Sequence, residues 1–372
     1  MSIYSIQIKN FKSIRDSGEL PIRNINVLIG SNGVGKSNFI SFFKFINRLI
    51  NRQLQIYINQ NGRADKFLYF GRKKSEFLGG KIIFRNKDEK ISNFYEFRMI
   101  PDQDGNLIFD REWSAYNMKA KDLSTDTISW DNKLKNDLGT FESQIPLSNK
   151  TRDEILLDFF SSLKIFHFHD TSFNSRVKQP SSIKDYAYLN EDGDNIAAFL
   201  YRLQEANSSH FRAIEKVIQS IAPFFNRFYL QPDEINPEQI YLRWFEIGSD
   251  QIFNAHNFSD GTLRMICLTT LLLQPSPPKT IIIDEPELGL HPFAISKLAA
   301  MLQSASDKSQ IIVSTQSVNL VNEFNAEDII VVDRKDNQST FTRLSEERLN
   351  VWLTEDYSIG ELWEKNVLGG RP

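Results

Sequence analysis

Three glycines, a lysine and a serine lie close together near the start of the chain. Residues 30–37 read GSNGVGKS, which fits the spacing G-x-x-x-x-G-K-[ST]. Glycines let several backbone N–H groups face one anion, because no side chain blocks its approach. The lysine can then reach the terminal phosphates of a nucleotide, and the serine can ligate Mg²⁺. The spacing predicts a phosphate-binding loop formed by Gly30, Ser31, Asn32, Gly33, Val34, Gly35, Lys36, Ser37 and Asn38.

The segments on either side of this loop have the patterns of a strand and a helix. Residues 25–29 (INVLI) alternate and are rich in β-branched side chains, which predicts a buried strand. After the loop, Phe39, Ile40, Phe43 and Ile46 recur at helical spacing. A helix that begins at the loop adds its partial positive charge to the anion site. This context makes a chance glycine turn a poor alternative.

A second motif places two acids after another apolar run. Residues 280–285 read TIIIDE, which is typical of a central parallel strand with carboxylates at its C-terminal edge. Asp284 is expected to hold Mg²⁺ through water. Glu285 is expected to orient and polarise an attacking water, since phosphoryl transfer depends on positioning and electrostatics. A structural strand followed by an acidic turn is the alternative.

A third segment, NFSDGTLR at residues 257–264, precedes the acidic strand. Together the three motifs resemble the ABC/SMC-like superfamily of ATPases, in the branch that holds RecF and the OLD-family ATPases. The resemblance implies that Ser259 and Gly261 contact the γ-phosphate of an ATP bound to the opposite protomer. Asp260 replaces the family's first signature glycine and brings a negative charge, part of which a helix N-terminus would offset. By itself, Ser-Asp-Gly also fits an ordinary helix cap.

The resemblance extends over nearly the whole chain and implies ATP and Mg²⁺ as cofactors. Gln316 stands where the family has a switch histidine. An amide can donate a hydrogen bond to a γ-phosphate or a water but cannot carry a proton charge, so slow ATP hydrolysis is expected. Lys36, Glu285 and Gln316 are thus the expected catalytic residues. Three further segments, LYFGRKKS, FHFHDTS and LWEKNVLGGRP, resemble a group of stand-alone bacterial AAA-family ATPases.

The implied fold is an α/β P-loop NTPase fold like the ABC/SMC head, with a mixed-sheet core. From 79 to 130, apolar residues alternate with polar ones, which predicts an antiparallel β lobe and not a coiled-coil arm. The expected division has three parts. An N-terminal ATPase part with the phosphate loop spans 1–78, a β-rich insertion spans 79–150, and a C-terminal ATPase part with the remaining motifs spans 151–372.

Composition limits the function classes. The chain has 372 residues, 41% of them hydrophobic, with 44 basic against 47 acidic side chains and a net charge of −3. This balance argues against a surface that is basic throughout, but it leaves a local basic patch open. A single cysteine, Cys267, suits a reducing compartment. No signal core and no apolar run near the ~20 residues of a membrane span are evident, so a cytoplasmic protein without membrane contact is expected.

The resemblance implies an ATP-dependent homodimer or higher oligomer in which each nucleotide is shared between chains. Family relatives act on DNA ends or control a nuclease, including in anti-phage defence. A separate nuclease or toxin partner is therefore expected here, because the ATPase core and β insertion take up the 372 residues. Two alternatives stay open. One is a DNA-repair ATPase that binds DNA directly. The other is a transporter's nucleotide-binding subunit, against which the altered signature and the long insertion argue.

Two smaller clusters contain side chains that could bind a metal or an anion. His167 and His169 are expected on one face of a strand with Asp170 next, which resembles half of a metal site. The basic run Arg72-Lys73-Lys74 fits contact with DNA or phosphate, but a solvated loop has the same composition.

Overall fold

The computed structural model describes residues 1–86, 92–117, 131–135, 139–347, 349 and 357–370. The backbone packs as two units, one made of residues 1–163 and 325–372 and the other of residues 164–324. Within the described ranges, no helix combines the length and the apolar character that crossing a membrane requires.

The first unit contains a seven-stranded antiparallel sheet built on the N-terminal strand. Its strands, in spatial order, are β2 (Ile14–Asp16), β1 (Ser2–Phe11), β5 (Leu78–Arg85), β6 (Ser92–Pro101), β7 (Leu107–Asn117) and β8 (Asp131–Lys135), with β3 (Leu20–Pro21) also paired to β1. The expected antiparallel lobe is confirmed for the described part of 79–130; residues 87–91 and 118–130 lie outside it. The N-terminal strand β1 completes this sheet by pairing with β5.

The phosphate loop of the first unit follows a short buried strand. All five residues of β4 (Ile25–Ile29) are buried, as the sequence pattern predicts. Strand β4 is parallel to β17 (Ile329–Lys335), which forms an antiparallel hairpin with β18 (Gln338–Arg343). Helix α1 (Lys36–Ile50) begins directly after the loop. The order strand, loop, helix therefore agrees with the sequence pattern.

Aromatic packing fixes the position of α1 in the first unit. The ring of Phe42 lies 5.3 Å from that of Phe11 on β1 and 6.1 Å from that of Phe97 on β6. Each fully buried phenylalanine contributes roughly 1.5–3 kcal/mol, so the helix is held firmly on the sheet. The other helices of this unit are α2 (Leu54–Gln60), α3 (Arg63–Phe67), α4 (Thr151–Ser161) and α10 (Ile359–Glu364).

The second unit carries the acidic strand. Strand β15 (Thr280–Asp284) is parallel to β16 (Gln310–Thr315), and β9 (Leu163–Phe166) lies on the other side of β15. The remaining strands are β10 (Ser181–Ser182), β11 (Phe225–Phe228), β12 (Gln239–Ile240), β13 (Arg243–Glu246) and β14 (Ile252–Asn254). The helices are α5 (Ile196–Ala206), α6 (Ser208–Ile221), α7 (Asp260–Leu273), α8 (Pro292–Ala305) and α9 (Val318–Val321).

The crossover between β15 and β16 brings their carboxyl ends together. A parallel pair needs a long connection, which α8 provides. Asp284 is the register partner of Ser314 at the end of the ladder. The acidic turn at 284–287 therefore lies beside the segment 314–317, although the two are far apart in sequence.

Candidate functional site

The glycines of the phosphate loop have backbone angles that other residues rarely adopt. Gly30, Gly33 and Gly35 have φ values of 153°, 79° and 121°. A Cβ at Gly30 would lie 2.3 Å from the carbonyl oxygen of Val332, and one at Gly35 would lie 2.1 Å from the Ser339 hydroxyl. The close approach of the β17–β18 hairpin thus requires glycine at two of these three positions. An anion in the loop would be a second reason for glycine there.

The start of α1 offers hydrogen-bond donors to an anion. Its N-cap residue is Gly35, which provides no side-chain acceptor for the N–H groups of the first turn. Lys36 is 5% exposed, and its ammonium group donates to the carbonyl oxygens of Gly30 and Ser31, the second at 3.1 Å. Ser37 is exposed. The loop therefore has a cation within it and an exposed serine at its end, which are the residue types that suit a triphosphate with Mg²⁺.

Two serines far apart in sequence hold the loop in place. The Asn38 amide donates to the Ser13 hydroxyl oxygen at 2.7 Å, and the hydroxyls of Ser13 and Ser339 are 2.7 Å apart. The Ser339 hydroxyl donates its proton to the carbonyl oxygen of Val34 at 2.5 Å, so Ser13 is the donor to Ser339. The sequence motif did not include either serine. Only the folded hairpin brings Ser339 to the loop.

The C-terminal segment also contacts the phosphate loop. Trp363 is fully buried, and its indole N–H donates to the carbonyl oxygen of Gly370 at 2.6 Å. A Cβ placed on Gly370 would lie 2.8 Å from the carbonyl oxygen of Val332 and 3.5 Å from the Cα of Gly30. The sequence identified this C-terminal segment only by its resemblance to other ATPases. In the structure it lies against Gly30, the first glycine of the loop.

In the second unit, the predicted acidic pair lies together with the predicted switch residue. The Ser314 hydroxyl donates to the Asp284 carboxylate, and His169 Nε2 donates to the Asp284 carbonyl oxygen at 2.7 Å. Glu285 has a left-handed φ of 43°, and its N–H donates to the carbonyl oxygen of Ser314 at 2.9 Å. Such strain costs about 1–3 kcal/mol and collects at functional sites. The Gln316 amide donates to the Glu285 carboxylate.

A third carboxyl group in this turn is buried. Glu287 is 8% exposed and accepts hydrogen bonds from the Thr315 hydroxyl and, at 3.2 Å, from the Gln316 N–H. Burial is the main cause that raises the pKa of Glu287, and the nearby Glu285 charge adds to it. The sequence analysis did not select this residue, although the run DEPE at 284–287 contains it.

The signature serine caps a helix. Ser259 is the N-cap of α7, and its hydroxyl oxygen accepts the Thr262 N–H at 3.2 Å. Ser259 is exposed. The neighbouring Asp260 carboxylate lies 3.7 Å from the Lys178 ammonium, whose side chain is 8% exposed. A buried lysine therefore offsets part of the negative charge that the altered signature introduces.

The signature helix is attached to the loop that follows the acidic pair. A Cβ on Gly261 would lie 2.6 Å from the carbonyl oxygen of Gly289, so glycine permits a close backbone approach there. The Arg264 guanidinium donates to the carbonyl oxygens of Leu288, of Phe168 at 3.2 Å and of His169 at 2.8 Å. One arginine of α7 thus joins two other backbone segments of the second unit, at 168–169 and at 288.

The histidine pair has a different setting from the one that the sequence suggested. His167 and His169 lie beyond the end of β9 at Phe166, so the prediction that they share a strand face is wrong. The strand pairing ends at Phe166, and His169 donates to the carbonyl oxygen of Asp284. Among the described residues, no cluster of three or more His, Cys, Asp and Glu side chains has the arrangement of a metal site.

Comparison with known protein families identifies the family of this chain. Residues 25–322 match the family described as AAA domain, putative AbiEii toxin, Type IV TA system. The chain belongs to this family. It is 24% identical over 380 residues to the Old nuclease of Escherichia phage P2, with 91% of this chain and 60% of the relative covered. The chain thus spans about 60% of the length of that relative.

Solved structures with the same fold are SMC heads. An SmcHead bound to the C-winged helix domain of ScpA has a TM-score of 0.61 at 19% identity, covering 94% of this chain and 100% of that one. The Pyrococcus furiosus Smc head with an extended coiled coil, bound to the C-terminal domain of ScpA, has a TM-score of 0.57 at 16% identity, covering 95% and 99%. These findings confirm the fold class and the resemblance to ABC/SMC-like P-loop ATPases of the RecF/OLD-related branch.

Proposed function

We propose that the protein is a Mg²⁺-dependent ATPase that acts as an ATP-operated dimer. The observation that carries the proposal is the Gln316 amide on the Glu285 carboxylate, at the end of a buried parallel strand in a P-loop ATPase. A carboxylate whose orientation is fixed by such a hydrogen bond can accept a proton from a water molecule at one defined position. The strained backbone of Glu285 is consistent with this role.

The remaining roles follow from the donor chemistry. Lys36 and the uncapped first turn of α1 would bind the phosphates. The Ser37 hydroxyl and the Asp284 carboxylate are the hard oxygen donors that Mg²⁺ prefers, so both residues fit this cation. The ion would neutralise charge that develops on the phosphates. Gln316 would orient the Glu285 carboxylate, and the carboxylate would in turn orient the attacking water.

The proposed dimer would share each ATP between two chains. Ser259 supports this part of the proposal, because its exposed hydroxyl and the N-terminus of α7 form a donor group suited to a γ-phosphate. Each chain would supply its phosphate loop to one nucleotide and Ser259 with Gly261 to the other. Loss of the γ-phosphate would then release the dimer.

Two variants that are inactive alone test the shared site. Lys36→Ala should fail to bind nucleotide, and Ser259→Arg should bind it but fail to hydrolyse it. A mixed dimer keeps one intact composite site, so the mixture should regain part of the wild-type ATPase activity. A mixture as inactive as its components, together with a wild-type rate per chain that does not depend on protein concentration, would contradict the dimer.

The proposed biological role is control of a separate nuclease or toxin in DNA metabolism or anti-phage defence. The P2 relative is named a nuclease, and the SMC head structure is of a complex with a winged-helix domain. Co-purification with the products of neighbouring genes, with ATP and with ADP, tests this role. A nuclease or toxin retained only with ATP would support it, and the same recovery with both nucleotides would contradict it.

Direct DNA binding is a second candidate function, and a basic cavity favours it. The cavity lies in the first unit and has a volume of about 760 Å³. Its charged lining residues are Lys12, Lys66, Arg72, Lys73, Arg334 and the acid Asp65. Asp65 is paired with Arg72 at 3.0 Å, which leaves an excess of cations. Anisotropy of a labelled duplex should show salt-dependent binding that Lys66→Glu with Lys73→Glu removes.

A further inference from the structure

Glu287 joins the acidic turn to the switch segment of the second unit. The side chain is 8% exposed, and its Oε1 atom accepts two hydrogen bonds from consecutive residues. One comes from the Thr315 hydroxyl, and the other comes from the Gln316 N–H at 3.2 Å. A single carboxyl oxygen therefore fixes both the last residue of β16 and the backbone of the residue that follows it.

The next residue is held by the same network. The Thr315 Oγ1 atom accepts the Ser317 N–H at 2.9 Å, and the Ser317 hydroxyl oxygen accepts the Leu320 N–H at 3.2 Å as the cap of α9. The backbone of Gln316 is thus anchored before, at and after its own position. Side chains on a backbone held in this way have few alternative directions.

The side chain of Gln316 points to Glu285, the proposed water-activating carboxylate. Glu285 is tied to β16 from the other side, since its N–H donates to the carbonyl oxygen of Ser314 at 2.9 Å. We propose that Glu287 is a positioning residue that holds Gln316 in place, so that its amide fixes the direction of the Glu285 carboxylate. This inference rests on the ATPase function proposed above.

The role requires an acceptor oxygen and not a charge. Glu287 Oε2 is buried and accepts no hydrogen bond from any residue that the structure describes. An isolated carboxylate charge in such a position is unfavourable. An uncharged side chain of the same shape with the same acceptor oxygen should therefore replace glutamate. An apolar side chain of similar length should not, because it leaves the Thr315 hydroxyl and the Gln316 N–H without their acceptor.

Three variants test the inference. Glu287→Gln should keep kcat within about threefold of wild type, and Glu287→Met should lower kcat by about 10–10²-fold, because misplacing a catalytic group by ~1 Å has an effect of that order. Thr315→Val, which removes one donor to Glu287, should lower kcat in the same direction. The dissociation constant for a fluorescent ATP analogue should stay within about twofold in all three, since the phosphate-binding loop is untouched.

A second readout does not depend on hydrolysis. The side-chain amide resonance of Gln316, assigned through its loss in Gln316→Leu, should shift in Glu287→Met and keep its place in Glu287→Gln. A wild-type protein without ATPase activity would overturn the proposed function, while this resonance would still decide the role of Glu287. An unshifted resonance or an unchanged kcat in a folded Glu287→Met variant would overturn the inference. A loss of kcat in Glu287→Gln as large as that in Glu287→Met would show that the charge of Glu287, and not its acceptor oxygen, is required.

Discussion

Replacement of Gly261 with alanine should test the packing of the signature glycine against the loop that follows the acidic pair. The added Cβ would lie 2.6 Å from the Gly289 carbonyl oxygen, where ordinary contact begins at 3.4 Å, so helix or loop must shift by 3.4 − 2.6 = 0.8 Å. Overpacking of this kind costs about 1–3 kcal/mol. The better helix propensity of alanine returns about 1 kcal/mol. A net loss of about 0–2 kcal/mol is expected.

The shift should have a larger effect on catalysis than on stability. The loop at 288–289 begins three residues after Glu285, and Arg264 ties it to α7 through the carbonyl oxygen of Leu288. A movement of this size should lower kcat by about 10–10²-fold. Thermal unfolding should shift by only a few degrees, at about 2–4 °C per kcal/mol. Binding of an ATP analogue to isolated chains should not change.

Asp260→Ala is the matched control for Gly261→Ala. It adds no atom near the loop and removes only the largely exposed Asp260 carboxylate, and the buried Lys178 ammonium keeps the Thr171 carbonyl oxygen as an acceptor, so little stability should be lost. The reasoning is refuted if Gly261→Ala unfolds at the wild-type temperature with unchanged kcat. It is also refuted if a crystal structure of Gly261→Ala shows Gly289 in its original place.

Three further outcomes are expected. Ser314→Ala removes the hydroxyl that donates to the Asp284 carboxylate and should raise the Mg²⁺ concentration for half-maximal activity several-fold, whereas an unchanged value would argue against Asp284 as a Mg²⁺ residue. Trp363→Ala should lower the free energy of unfolding by about 3–5 kcal/mol and weaken ATP binding, and Trp363→Phe should have a much smaller effect on both. Equal ATP affinity in the wild type and both variants would show that the C-terminal segment does not support the loop. Burial raises the pKa of Cys267 to about 12, so its thiol should react slowly with a disulfide reagent at pH 8 until urea is added. Because this pKa is raised in the folded state, the Cys267 contribution to stability is complete below about pH 9 and is lost towards pH 12.

The sequence by itself was sufficient for the elements that depend on local patterns. The spacing from Gly30 to Ser37 predicted the loop between β4 and α1, because positive φ values and a helix start require those residue types locally. Period-two alternation predicted the antiparallel lobe, because every second side chain of such a strand is buried. The apolar run before Asp284 likewise predicted a buried parallel strand. The three-part division at 1–78, 79–150 and 151–372 stays a prediction.

The tertiary structure alone decided which residues support these motifs. Ser339 reaches Val34, and Glu287 reaches Thr315, through contacts between segments that no local pattern links. The prediction for His167 and His169 was wrong because alternation continued past the end of β9, where the backbone ends its pairing to bring His169 to Asp284. The residue types of the motifs are set by local backbone conformation, which a sequence displays directly. Their supports are set by close packing between distant segments, which exists only after the chain has folded.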